Sequence, residues 1–248
     1  MWGAAACAAL TVQSTRGVSA VHAVDTALLV AQVEALLGDL RVTAIKTGAL
    51  GSAANIDAVA ALLAAQPALP AVVDPVMIPS QRTAPGARLD GEGSRGALLR
   101  LAARATLLTP NLPEAAALLG CSSNDLGEPA DAARALLDLG PQAVLLKGGH
   151  GSGPASIDWL ALREGRERLV AIAGPRRATP ALHGTGCTLA SLLAGHLAQR
   201  DDPAQLPGPE ALLAAARWAR ARLDEAIVSA LRVGHGLLVL APAPAARG

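Results

Sequence analysis

Short apolar runs alternate along this chain with longer stretches in which apolar residues recur at helical spacing. Val42-Thr43-Ala44-Ile45, Ala71-Val72-Val73, Thr106-Leu107-Leu108 and Ala143-Val144-Leu145-Leu146 are continuous, β-branched or leucine-rich, and end at small or polar residues, which predicts buried strands. Between and after them, 56–65, 97–103 and 130–139 carry helical periodicity. Strands separated by helices predict an α/β fold: a mostly parallel central sheet covered on both faces, in three layers. No internal repeat, low-complexity tract or linker interrupts residues 1–248, which predicts a single domain.

In such sheets ligands bind beyond the carboxyl ends of the strands, so the residues that follow each run matter most. They read Lys46-Thr47-Gly48, Asp74-Pro75-Val76-Met77, Thr109-Pro110-Asn111 and Lys147-Gly148-Gly149-His150. Farther on, His183-Gly184-Thr185-Gly186-Cys187 precedes the apolar run 188–194, a glycine loop opening a helix. Two glycines let backbone N–H groups converge, and the positive end of a helix favours an anion there, which suits a phosphoryl group in transfer. The competing reading is a tight turn capped by Thr185. Cys187 reads as a small buried apolar residue or, because a helix N-terminus can draw a thiol from about 8.5 toward neutrality, as a thiolate base.

Asn111-Leu112-Pro113-Glu114 has the pattern of a capping box with proline in the first turn. Glu114 could equally orient waters on a Mg²⁺ carried by nucleotide phosphates, since Mg²⁺ keeps waters and takes few direct protein ligands. Asp74 caps a turn or serves the metal or the acceptor. Lys147 is a snorkelling lysine or a charge for nucleotide phosphates, and Lys46 has the same two readings. Gln13, at the end of the apolar run 9–12, is a polar loop residue or an amide pairing with an aminopyrimidine edge.

Composition narrows the classes. The 21 Lys and Arg nearly cancel 20 Asp and Glu, so no overall field draws the chain to nucleic acid or an anionic membrane. With 1% aromatic residues, stacking platforms for single strands are excluded. The apolar stretches break well before the ~20 residues of a membrane span. Three scattered cysteines and no basic leader point to a reducing, cytoplasmic setting. Neither a P-loop, a G-x-G-x-x-G turn in a first βα unit, nor a structural zinc spacing is present.

Taken in order, K-T-G-A-L at 46–50, V-V-D-P-V-M at 72–77, T-P-N-L-P-E-A at 109–115, K-G-G-H at 147–150 and H-G-T-G-C-T-L at 183–189 resemble the hydroxymethylpyrimidine/phosphomethylpyrimidine kinases of thiamine biosynthesis, in the ribokinase-like superfamily. The resemblance extends from about Gly3 to the end of the chain and includes A-L-T-V-Q-S-T near the start and D-W-L-A-L-R-E-G at Asp158. It implies a ribokinase-like three-layer sandwich and ATP-dependent phosphorylation of 4-amino-5-hydroxymethyl-2-methylpyrimidine, then of its monophosphate. It also implies that Gln13 holds the aminopyrimidine edge and Val76 packs on the ring. Asn111, Glu114 and Asp74 would serve Mg²⁺ and Lys147 would meet ATP. Gly184, Thr185 and Gly186 would form the anion hole, and Cys187 would accept the hydroxyl proton. Ala49 stands where the family often carries Met, which implies a wider pocket wall. The family's opening strand and G-G-A-G-I-Q-A-D type segment have no counterpart here, so an N-terminally short domain is expected. A homodimer is implied as well. Pyridoxal kinases, some of which share the cysteine, and a non-catalytic pyrimidine-binding relative are the alternatives.

Overall fold

The computed structural model describes residues 2–77, 93–148, 155–176, 182–200, 202 and 205–241. A hairpin of β1 (Ala9–Ser14) and β2 (Gly17–Ala23) comes first, followed by α1 (Thr26–Asp39), β3 (Ile45–Thr47), α2 (Ala53–Ala64), β4 (Ala71–Val73), α3 (Arg95–Ala102), β5 (Leu107–Leu108) and α4 (Leu112–Leu119). Then follow α5 (Pro129–Leu137), β6 (Ala143–Leu146), β7 (Ala155–Leu162), β8 (Leu169–Pro175), β9 (Leu182–His183), α6 (Thr185–Leu197), α7 (Pro209–Val228) and β10 (Leu238–Val239). Among the described residues no helix is long and apolar enough to cross a membrane.

The central sheet runs in sequence order from β3 to β8. Strands β3 to β6 pair in parallel, and β7 and β8 close one edge antiparallel. The continuous apolar character of the inner strands follows from burial on both faces. Val73, Leu108, Val144 and Leu146 pack with Leu29, Ile56, Leu101, Leu118 and Leu136 of α1 to α5. The alternate residues Val72, Leu107, Ala143 and Leu145 pack with Leu189, Leu193, Leu212 and Leu223 of α6 and α7. These two cores are the three layers predicted from sequence.

Two strand boundaries differ: the run 106–108 forms β5 only at Leu107–Leu108, and the second difference is larger. The run 42–45 was expected to be a strand, yet β3 begins only at Ile45. The amide of Val42 donates to Leu40 in the turn leaving α1, and the first ladder bond is Ile45 N–H to the Pro70 carbonyl, where β4 becomes available as a partner. Propensity alone could not locate that partner.

The fully buried Asn55 ties the hairpin to the body. Its Nδ2 donates to the carbonyls of Ala8, Val24 and Leu50, while its Oδ1 accepts from Thr26 at 2.7 Å. At the other end of the hairpin, the turn at Thr15 bonds the C-terminal segment through Leu237 N–H to its carbonyl and Gly236 N–H to its hydroxyl. That segment leads into β10, which pairs in parallel with β9.

Candidate active site

Three charged side chains from three different strand ends meet beneath the start of α6. Asp74 leaves β4, Lys147 leaves β6, and Glu114 lies in the first turn of α4, directly after β5. Lys147 Nζ is 2.8 Å from Asp74 Oδ1 and 3.8 Å from Glu114 Oε2, and the carboxylates are nearly inaccessible. A parallel β-bridge between Asn111 and Lys147, with Lys147 N–H donating to the Pro110 carbonyl at 2.8 Å, sets the spacing of these loops. The hydroxyl of Thr109 adds a long contact, 3.4 Å, to Asp74 Oδ1.

The capping-box reading of Asn111 and Glu114 is realised in full. Asn111 Oδ1 accepts from Glu114 N–H at 2.9 Å, and Glu114 Oε2 accepts from Asn111 N–H at 2.8 Å, with Pro113 in the first turn. The same structural role aims this carboxylate at Lys147. Burial pushes Glu114 up to about 7, against the pull of Lys147 and the Asn111 amide and with help from Asp74. Burial also works against the Lys147 ammonium, but Asp74 and Glu114 outweigh it and hold that pKa above its ordinary value.

Gly184 begins α6 in the left-handed region, φ +85°, where glycine carries no steric cost, and no side chain caps the helix. Thr185 is therefore the first helical residue and not a cap. The first-turn amides of α6 are left to face an anion. Gly186 lies directly over the charged cluster: a Cβ there would stand 3.2 Å from Lys147 Nζ and 4.0 Å from Asp74 Oδ2. The glycine loop and the three strand ends thus form one site.

Cys187 corrects one expectation. Its residue is exposed, yet the protein around the sulfur and the nearby Asp74 push the thiol above its usual range, despite Lys46 and Lys147 pulling it down. The favourable helix end does not make a resting thiolate here, because burial of the sulfur, and after it the charge of Asp74, disfavours the thiolate.

Gln13, on the exposed face of β1, reaches the same turn from the hairpin: its Nε2 is 2.7 Å from His183 Nε2. Thr11 Oγ1 donates to Gln13 Oε1 at 3.3 Å, which assigns the amide nitrogen to the histidine side. His183 was noted only as part of a motif, and nothing in the spacing of 170 residues announces this pair. Val76 follows Asp74, its N–H donating to the Asp74 carbonyl at 2.8 Å, and Ala49 lies in the loop after β3. Both are at neighbouring strand ends, but no hydrogen bond links their side chains to the cluster. Gly149 and His150 lie outside the described residues.

A second buried network supports the turn after Lys147. Gly148 N–H donates to Asp158 Oδ1 at 2.8 Å, and Asp158 Oδ2 accepts from Arg220 Nη1 at 2.8 Å, with Asp224 Oδ1 3.1 Å from Arg220 Nε. The backbones are packed so closely there that a Cβ on Gly148 would lie 1.7 Å from the Ile157 carbonyl oxygen. The sequence reading noted Asp158 within a motif but missed Arg220, 62 residues away.

The donor set fits a hydrated Mg²⁺. Two buried carboxylates share one ammonium, and burial, with Asp74 adding to it, holds Glu114 at about 7. Among the described residues no group of three or more His, Cys, Asp or Glu side chains is arranged to cage a metal. The arrangement therefore suits an ion that keeps its waters and rides on phosphate oxygens.

Comparison with known proteins agrees with this chemistry. A family model described as phosphomethylpyrimidine kinase matches residues 1–240. The thiamine biosynthesis bifunctional protein ThiED of Geobacter sulfurreducens is 40% identical over 236 residues, covering 95% of this chain and 45% of that protein, so this chain spans under half of its length. The hydroxymethylpyrimidine/phosphomethylpyrimidine kinase of Haemophilus influenzae is 36% identical over 240 residues, covering 95% of this chain and 84% of that one. Among solved structures, the phosphomethylpyrimidine kinase of Clostridium difficile superposes with TM-score 0.71 at 27% identity, covering 91% and 87% of the two chains. The pyridoxal kinase of Staphylococcus aureus, in complex with AMP-PCP and pyridoxal, superposes with TM-score 0.77 at 26% identity, covering 95% and 80%.

Proposed function

The chain belongs to the phosphomethylpyrimidine kinase family, and from that premise we propose that it is the phosphotransferase that moves the γ-phosphoryl group of ATP to 4-amino-5-hydroxymethyl-2-methylpyrimidine and then to the resulting monophosphate. The observation that carries this reading is the Asp74–Lys147–Glu114 cluster held directly under Gly186 at an uncapped helix N-terminus.

In this reading Gly184, Thr185 and Gly186 present backbone N–H groups to the equatorial oxygens of the group in transfer, where little covalent work falls to the protein. Lys147 places a point charge against the donor phosphates. Asn111 fixes Glu114 through the capping box, and Glu114 and Asp74 would hold Mg²⁺, which when bound would neutralise charge on the phosphate oxygens. Gln13 reads the aminopyrimidine edge with its donor and acceptor, held at the turn by His183. Val76 and Ala49 form the ring's walls. Cys187 takes the hydroxyl proton. Because its thiol is raised, this role depends on the positive charges around the sulfur: Lys46 and Lys147 pull its pKa down.

Similarity to pyridoxal kinases extends over the whole fold, so pyridoxal is the competing acceptor; the 36% to 40% identity to pyrimidine kinases and ThiED favours the pyrimidine. Initial rates with ATP and hydroxymethylpyrimidine, its monophosphate or pyridoxal decide between them. Turnover of both pyrimidines is expected, and turnover of pyridoxal alone would overturn the assignment. A homodimer and a cytoplasmic location belong to the same proposal, supported by the exposed apolar Leu10 and Val12 on β1 and by three free cysteines.

A further inference from the structure

Of the 21 lysines and arginines in the chain only two are lysines, Lys46 and Lys147; every other side-chain cation is arginine. Both are at carboxyl ends of central-sheet strands, Lys46 within β3 and Lys147 directly after β6. An ammonium is a compact point charge that follows an oxygen as it moves, whereas a guanidinium claims two oxygens in a fixed plane. A chain that uses arginine elsewhere but lysine at these two places is treating them alike.

Their surroundings differ. The charge of Lys147 is committed to Asp74 and Glu114. Lys46 is half-buried and makes no hydrogen bond or ion pair with any described residue. In register it stands opposite Val72, which faces α6, so it lies on the same side of the sheet as the glycine turn. Gly48 leaves room for it, since a Cβ at that position would be 2.8 Å from Lys46 Nζ. Its charge also acts on Cys187, as does that of Lys147, which is paired with Asp74.

Two successive transfers at one site make different demands. In the first, the hydroxyl oxygen bonds to the γ-phosphorus of ATP, its proton passes to a base, and the bond to the bridging oxygen breaks with its electron pair going to ADP. In the second, the attacking atom is a non-bridging oxygen of a phosphomonoester, the same bond breaks in the same way, and no proton has to be removed. That acceptor carries about −1.5 to −2 charges at pH 7 and has to approach another anion. The second transfer therefore needs a positive charge on the acceptor side that the first does not.

We propose that Lys46 forms an acceptor-phosphate subsite, its ammonium holding the phosphate of the monophosphate acceptor during the second transfer. This rests on the two-step pyrimidine kinase reading. The test is to measure kcat and KM of the wild type, Lys46→Gln and Lys46→Arg with ATP, Mg²⁺ and either hydroxymethylpyrimidine or its monophosphate. Loss of one charge-assisted hydrogen bond predicts that Lys46→Gln lowers kcat/KM for the monophosphate about 10- to 100-fold, chiefly through KM, whereas for the alcohol KM stays within about threefold and the smaller loss falls on kcat, because Lys46 also favours the Cys187 thiolate. Lys46→Arg, which keeps the charge, should recover part of that loss. A wild type active on both acceptors, combined with a Lys46→Gln loss that is equal for the two or absent for both, overturns the subsite alone. A wild type that phosphorylates neither overturns the activity reading and the subsite with it.

Discussion

Glu114→Gln should make the ligand-free protein more stable at alkaline pH while impairing catalysis. The unfolded carboxyl loses its proton near 4.5, whereas in the folded protein it keeps the proton to about 7. Between these values the folded state binds more protons, so this group's contribution to stability is complete below 4.5 and is lost as pH rises through 7. At about 1.4 kcal/mol per pH unit, the ionised carboxylate costs the folded state up to about 3 kcal/mol above pH 7. Glutamine imitates the protonated form and can still accept from Asn111 N–H, so the capping box persists. Urea unfolding without nucleotide or Mg²⁺ should give nearly equal stabilities at pH 5 and a gain of up to about 3 kcal/mol for the variant at pH 8.5, or about 6–12 °C in Tm for a chain of this size. A variant no more stable than the wild type at pH 8.5, or one stabilised equally at both pH values, would refute the account of a carboxylate held ready for a cation.

Further expectations concern the sulfur and the support beneath Lys147. Cys187→Ala should lower kcat by about 10²–10⁴ for the hydroxymethyl acceptor, whose proton needs a base, and much less for the monophosphate; equal effects would mean that the cysteine only packs. Because the thiol is raised, wild-type kcat for the first transfer should climb with pH above neutrality as the thiolate forms, and a profile flat in that range would contradict the role of base. Asp158→Ala leaves Arg220 with Asp224 as its one carboxylate partner and Gly148 N–H without its acceptor, so a loss of about 3–5 kcal/mol is expected in urea unfolding. Gly148→Ala forces β7 away from the Lys147 turn and should raise KM for ATP as well as destabilise; an unchanged KM would separate that turn from the nucleotide.

Reading the chain in one dimension reached far because its signals are local. The runs 71–73 and 143–146 are apolar at every position since both sheet faces are covered, and they matched β4 and β6 residue for residue. Asn111 to Glu114 gave a capping box and Gly184 to Cys187 a glycine-opened helix, because both motifs depend on contacts within about one turn. The apolar run 9–12 is strand-like in sequence and lies in β1, whereas β2, β7 and β8 were not predicted as strands: their alternating or exposed patterns carry weaker signals than a doubly buried run. What the fold alone decided is which of these local pieces share a space. Only the register of β3 to β6 brings Asp74, Glu114 and Lys147 within one ion-pair cluster. The same assembly raises the thiol of Cys187, since burial of the sulfur and the charge of Asp74, distant in sequence, outweigh Lys46 and Lys147. It also leaves Lys46, unlike Lys147, with no hydrogen-bond or ion-pair partner among the described residues. Charge and desolvation are sums over neighbours in space, and those neighbours are fixed by tertiary packing.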